Sequence, residues 1–122
     1  MKVVVCGVFF KIHPSKNINM TFGLLDQSQS KSLPTVELSG SLENSIDSLC
    51  NKFVDVEPSW LEKTEASFFE ENETVYLVYR INVPFNVNLK SGLEWATYEE
   101  LIKTRDRFSQ EEIKSLSVCT GI

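Results

Sequence analysis

Histidine occurs once, at His13, and cysteine three times, at Cys6, Cys50 and Cys119. One histidine in a turn before Pro14 leaves no Ser–His–acid arrangement to build. Without a spaced Cys, Asp or second His it is not a zinc ligand set either. The cysteines are odd in number, far apart and without a CxxC, which argues against a disulfide framework. They read as buried free thiols of a reducing, cytoplasmic setting. Basic charge is also scarce, with three Arg and nine Lys against 17 acids and a net charge of −5. With no basic run or stripe to displace counterions, extended nucleic acid is not an expected partner, although a few local groups suffice for one nucleotide. No apolar run approaches the ~20 residues needed to cross a bilayer, so no membrane partner is expected. The opening MKVVVCGVFF lacks the charged region and cleavage site of a signal peptide and reads as a strand. Internal repeats, linkers and low-complexity segments are missing as well.

What remains is an ordinary globular composition. The 122 residues, 42% hydrophobic and 24% charged, fit one domain over 1–122, with eight Phe, three Tyr and two Trp as bulky core material. The high Ser and Asn content is compatible with an AT-rich genome, a viral one included.

Residues 3–12 and 20–25 are expected to pair as strands, with a polar loop over 27–32 and a short strand over 33–38. Residues 62–69 and 74–83 form an expected antiparallel pair joined through Glu70–Glu73. Val75, Leu77, Tyr79, Ile81 and Val83 share one face of the second strand while Tyr76 and Val78 make the other half apolar. Such a strand belongs inside a sheet covered on both sides. Phe85, Val87 and Leu89 alternate with Asn86 and Asn88, which predicts another strand before a turn at 90–92. Thr97 with Glu100, and Ser109 with Glu112, are capping boxes that predict helices over 97–103 and 109–117.

The central stretch, LENSIDSLCNKFVDVEPSWL, begins at Leu42. Ile46, Leu49, Cys50 and Phe53 recur at helical spacing. Ser41 is the expected N-cap, and Pro58 sets an end by Val56. Its pattern resembles a Nudix box: a glycine, five residues, a glutamate, seven residues, then arginine-glutamate-apolar-any-glutamate-glutamate-any-glycine-apolar. Aligned without gaps, Leu38 stands at the first glycine, Asn44 at the upstream glutamate and Lys52 at the arginine. Leu49 and Cys50 take the paired small-apolar positions, Val54 the apolar one, Ser59 the last glycine and Trp60 the final apolar one. The three metal-binding glutamates fall on Phe53, Val56 and Glu57, so Glu57 alone keeps its carboxylate. The setting extends the resemblance over nearly the whole chain: strands before the helix, a hairpin after it, and Glu94–Leu101 running into a late helix. The resemblance implies an α/β (α+β) fold, a Nudix-like α/β/α sandwich with a mixed β-sheet.

Nudix enzymes hydrolyse nucleoside diphosphates linked to another group, using magnesium or manganese on that carboxylate trio. No set of acids between Glu43 and Glu73 supplies i, i+3, i+4 spacing in any register. The expectation is therefore a Nudix-like domain without efficient hydrolase activity and without a metal cofactor, binding a small nucleotide or a protein. One alternative is an active pyrophosphohydrolase using Glu57 and acids outside the box. Another is a structural subunit that docks a partner through a sheet edge or an apolar helix face. Glu57 is either a metal- or partner-binding carboxylate or an exposed charge at the helix exit. Arg105-Asp106-Arg107 either grips a phosphate or forms a surface ion pair. Trp60 and Trp95 are expected in the core, with base stacking as their functional alternative. Glutamates placed at Phe53 and Val56 are expected to rebuild the family's ligand spacing with native Glu57.

Overall fold

The β-branched and aromatic run after Met1 forms the strand on which the molecule is assembled. The structure, a computed structural model, describes residues 1–12, 20–27, 30–84, 86–90 and 92–120. In chain order the elements are β1 (Lys2–Ile12), β2 (Met20–Gln27), β3 (Ser30–Ser32), β4 (Thr35–Glu37) and α1 (Leu42–Phe53). A 3-10 turn (Pro58–Trp60), β5 (Glu62–Glu71), β6 (Thr74–Asn82) and β7 (Leu93–Thr97) follow. The chain closes with α2 (Tyr98–Lys103), a second 3-10 turn (Arg105–Arg107) and α3 (Gln110–Thr120). His13 lies outside the described residues.

The sheet has the order β3-β2-β1-β6-β5, with β4 attached to β1 and β7 to β2. One flank of β1 serves two partners in succession, β4 along Val4–Cys6 and β2 along Phe10–Ile12, both antiparallel. Its other flank runs parallel to β6 from Lys2↔Thr74 to Phe10↔Asn82, so the sheet is mixed. Strand alternation then sorts the core into two layers. Val5 and Phe9 meet Ile46, Leu49, Cys50 and Phe53 of α1. Cys6, Val8 and Phe10 belong to the opposite layer with Leu101, Phe108 and Leu116 from the C-terminal helical region. β6 feeds both layers, Tyr79 and Ile81 on the α1 side and Val78 on the other, as its two-sided apolar pattern requires.

Close approach of α1 depends on Gly7. A Cβ there would stand 2.8 Å from Leu49 Cδ2 and 3.0 Å from Phe9 Cε2. Both C-terminal helices start as their capping boxes predict. Glu100 N–H donates to Thr97 Oγ1 at 3.2 Å, and Glu112 N–H donates to Ser109 Oγ at 3.2 Å. Glu112 Oε1 accepts Ser109 N–H at 2.9 Å, and its Oε2 accepts Leu33 N–H at 2.8 Å, which ties the start of α3 to the chain entering β4.

Three expectations need correction. The polar stretch 27–32 is not all loop: Ser30–Ser32 pairs with Leu25–Gln27, because a strand at a sheet margin needs backbone partners more than an apolar face. Residues 86–90 do not make a regular strand, and Phe85 lies outside the described residues. Val87 N–H turns back to the Pro84 carbonyl at 3.0 Å, and an isolated bridge joins Leu89 to Val54. Finally, α1 stops at Phe53, three residues short of Val56. The segment around Leu89 causes this. Asp55 N–H donates to Asn88 O at 3.0 Å and Lys90 N–H to Phe53 O at 2.9 Å, so the backbone leaves the helix to pair elsewhere.

Candidate functional site

The resemblance points to the exit of α1, and local chemistry holds that exit firmly. Ser41 caps the helix, its Oγ accepting Asn44 N–H at 3.1 Å. Buried Ser45 locks the approach by donating its hydroxyl towards the Ser39 and Ser41 carbonyls, both at 3.1 Å, while accepting Ser39 N–H. At the other end Val54 takes extended geometry, φ −125° and ψ 134°, with its side chain buried. Beyond it, Pro58 and Leu61 are buried on either side of an outward turn. Lys63 fastens this turn to the helix: its Nζ donates to Asp47 Oδ1 at 3.1 Å and to the Pro58 carbonyl at 2.9 Å.

Within this frame the sequence-predicted residues scatter. Phe53 is a core side chain, 5% exposed, with its ring edge-on to Phe9 at 6.2 Å between centroids. Val56 and Leu38 are half-buried at the margin of the same layer. Asn44, Lys52, Glu57 and Ser59 are exposed, Lys52 lying over the Phe53 ring at 5.4 Å. Since α1 has ended, Phe53, Val56 and Glu57 do not share a helical face. Glutamates at Phe53 and Val56 would not rebuild an i, i+3, i+4 helical set, contrary to the sequence expectation. Among the described residues no three His, Cys, Asp or Glu side chains come together to hold a metal ion. The donor set that magnesium or manganese prefers, several oxygens in near-octahedral array, is not met by these residues.

The thiols behave as core groups. Burial pushes Cys6 up to about 12, against a hydrogen bond with Ser115 that lowers it. It pushes Cys50 up to about 11, against the opposing charge of Lys63. Neither is poised as a nucleophile. Arg105, Asp106 and Arg107 occupy an exposed 3-10 turn.

The aromatic residues depart most from expectation. Trp95 packs at the margin of the α1 layer with Lys11 over its ring at 4.7 Å, but Trp60 is 75% exposed rather than buried. Phe68 is 68% exposed and was not singled out by sequence reasoning. Its signal was the adjacent pair Phe68-Phe69, whose side chains must leave opposite faces of a strand. Phe69 stacks on Tyr76 at 5.0 Å, and Phe68 is left outside. On the α3 side, a cleft of about 250 Å³ is lined by Phe10, Glu62, Thr64, Arg80 and Asn82. The Arg80 guanidinium lies over the Phe10 ring there, at 4.9 Å.

No family model matches the chain, and no curated protein matches it in sequence. Solved structures do match in shape. The C-terminal domain of mouse MUTYH, seen in complex with human PCNA, superposes with a TM-score of 0.78 at 14% identity, covering 99% of this chain and 88% of that one. The NUDIX domain of Shewanella oneidensis NrtR, complexed with ADP ribose, gives 0.72 at 14% identity, with 98% and 86% covered. The C. elegans Ap4A hydrolase gives 0.63 at 17% identity, with 99% and 96% covered. The chain therefore folds as a Nudix-like domain. Among its described residues, no helix is long and apolar enough to cross a membrane.

Proposed function

We propose that this Nudix-like domain works by docking a protein partner and does not sustain efficient hydrolysis of phosphoanhydride bonds. The observation that carries this reading is Phe53. The gap-free register sets it at the first metal-binding glutamate, yet it packs edge-on to Phe9 inside the core. An ion placed there would be stripped of water without gaining ligands. The exposed aromatics Trp60 and Phe68 supply the kind of surface a protein partner covers. The complex of the MUTYH domain with PCNA is a case of this shape meeting a protein.

The test is turnover. With magnesium or manganese, the purified chain is expected to release neither phosphate nor nucleoside monophosphate from nucleoside triphosphates, dinucleotides or nucleotide sugars. Robust turnover overturns the proposal. So does a saturable metal-dependent rise in melting temperature that Glu57→Gln abolishes, since a ligand that binds only the native state stabilises it.

One observation favours a second reading, that of a small-nucleotide binder. The Arg80 guanidinium beside Asn82 and Thr64 in the cleft offers a cation and polar groups to a phosphate and a base. Under this reading ADP ribose, the ligand in the NrtR complex, raises the melting temperature, and Arg80→Met removes the rise. No shift with ADP ribose rejects it.

A further inference from the structure

We infer that the outer edge of β5 receives an extended, lysine- or arginine-rich segment of a protein partner, paired strand to strand along Ser67–Glu71 with an apolar side chain of that segment against Phe68. This rests on the partner-docking reading and names the chemistry of the partner.

The edge itself is the first ground. β5 ends the strand order and pairs on one flank with β6; among the described residues no strand pairs with the other flank. Alternate N–H and C=O groups along a strand of ten residues therefore face outwards, a template for another chain. A register shift between Glu65 and Ser67 breaks the strand into two runs, and such a bulge bends the edge. The regular run beyond it, Ser67–Glu71, contains Phe68.

Phe68 is the second ground. It lies opposite Leu77, which packs into the α1 layer, yet its own ring stays in solvent. Edges that only guard against pairing carry charges and bulges, not a large aromatic ring left in water. Trp60 stands exposed in the 3-10 turn just before the same strand, roughly 20–25 Å away at about 3.3 Å per residue.

Charge selects the occupant. Glu62, Glu65 and Glu70 are exposed along β5, and Glu57 precedes it. Lys63, the basic residue of the strand, is already engaged by Asp47 and the Pro58 carbonyl. Glu71 is paired with Lys114 of α3. Two copies meeting edge to edge would set glutamates beside glutamates, which opposes self-pairing. A segment alternating lysine with apolar residues meets the same edge with opposite charge and gives Phe68 a neighbour.

The experiment uses the full chain and four capped synthetic peptides: one alternating lysine with valine and phenylalanine, one with glutamate replacing every lysine, and two forms of the basic peptide N-methylated at alternate amides, one in each phase. Amide hydrogen exchange and Trp fluorescence are the readouts. The basic peptide is expected to bind saturably and to slow exchange across Ser67–Glu71 while leaving the α3 amides unchanged. Phe68→Ala should weaken binding on the order of tenfold or more. Glu65→Lys with Glu70→Lys should reverse the preference toward the acidic peptide. One N-methylated phase should lose binding and the other keep it. The inference is overturned if the basic peptide leaves β5 exchange unchanged at millimolar concentration, if both peptide charges bind the wild type equally, or if both N-methylated phases bind as well as the parent. Nucleotide turnover alongside normal edge binding would overturn the proposed function and leave this inference standing. An inert chain whose edge ignores the peptide would do the reverse.

Discussion

The exit of α1 and the edge of β5 are consecutive in the chain, yet they treat similar residues in opposite ways. At the exit, Phe53 is drawn inwards and the surrounding backbone is tied to Asn88 and Lys90, while the nearby charges are left in water. Along the edge and in the turn that leads into it, a phenylalanine and a tryptophan stand in solvent among glutamates. The exit is built as a joint, with apolar packing beneath it, a helix cap before it and Lys63 clamped across it. The edge is built as a surface. The comparison teaches that an aromatic residue is assigned by what it is set against: α1 carries Phe53 down onto Phe9 of the sheet, whereas Phe68 is left in solvent.

The sharpest way to break the comparison is to put a charge into the joint. Phe53→Glu is expected to cost about 3–5 kcal/mol, because the packing against Phe9 is lost and a carboxylate is buried without a partner. Magnesium is not expected to rescue it, with or without Val56→Glu, since the helix has ended before Val56. Urea denaturation with and without metal reads this directly, and recovery of stability in magnesium would contradict it. Next in size is the floor under α1. Gly7→Ala is expected to cost about 1–3 kcal/mol by pressing on Leu49 and Phe9, and a variant as stable as the wild type would show that α1 lifts freely.

A milder probe is alkali. A thiol whose native value is raised keeps its proton while the unfolded thiol loses it. Stability is therefore fully present below the ordinary value of 9.0 and falls as pH climbs from there towards about 11 for Cys50 and about 12 for Cys6. The expected loss is about 1.4 kcal/mol per pH unit for each fully buried thiol. Cys50→Ala should flatten the slope in denaturation curves taken between pH 9 and 11, and an unchanged slope would remove Cys50 from the account. The smallest effect belongs to the edge. Trp60→Ala and Phe68→Ala should each change stability by no more than about 0.5 kcal/mol, as exposed positions do. A loss comparable to that of Phe53→Glu would mean that these rings pack in the free protein and would erase the contrast.

The parts of this fold that were legible beforehand are those decided within a few residues. The boxes at Thr97 and Ser109 start helices because each hydroxyl and its glutamate lie within one turn, and Ser41 caps α1 for the same reason. The two-sided pattern of β6 announced a covered sheet interior, and the heptad-like spacing of Ile46, Leu49, Cys50 and Phe53 announced the buried face of α1. The candidate site was legible as a stretch of chain but not as a geometry. Val54 could have continued the helix, and it leaves because residues 88–90, more than thirty positions away, offer backbone partners.

By itself, then, the sequence determined the period of each main element, most of its caps and the sorting of apolar residues onto two faces, since these follow from local geometry and alternation. Only the tertiary structure decided where α1 stops, that the polar residues Ser30–Ser32 pair with β2, and which aromatic rings stay in water. Phe53 and Phe68 are the same side chain, each followed directly by another apolar residue, Val54 and Phe69. One is buried and the other exposed because β1 and β6 lie at the centre of the sheet and β5 at its margin, and strand order is settled by pairings between residues far apart in the chain.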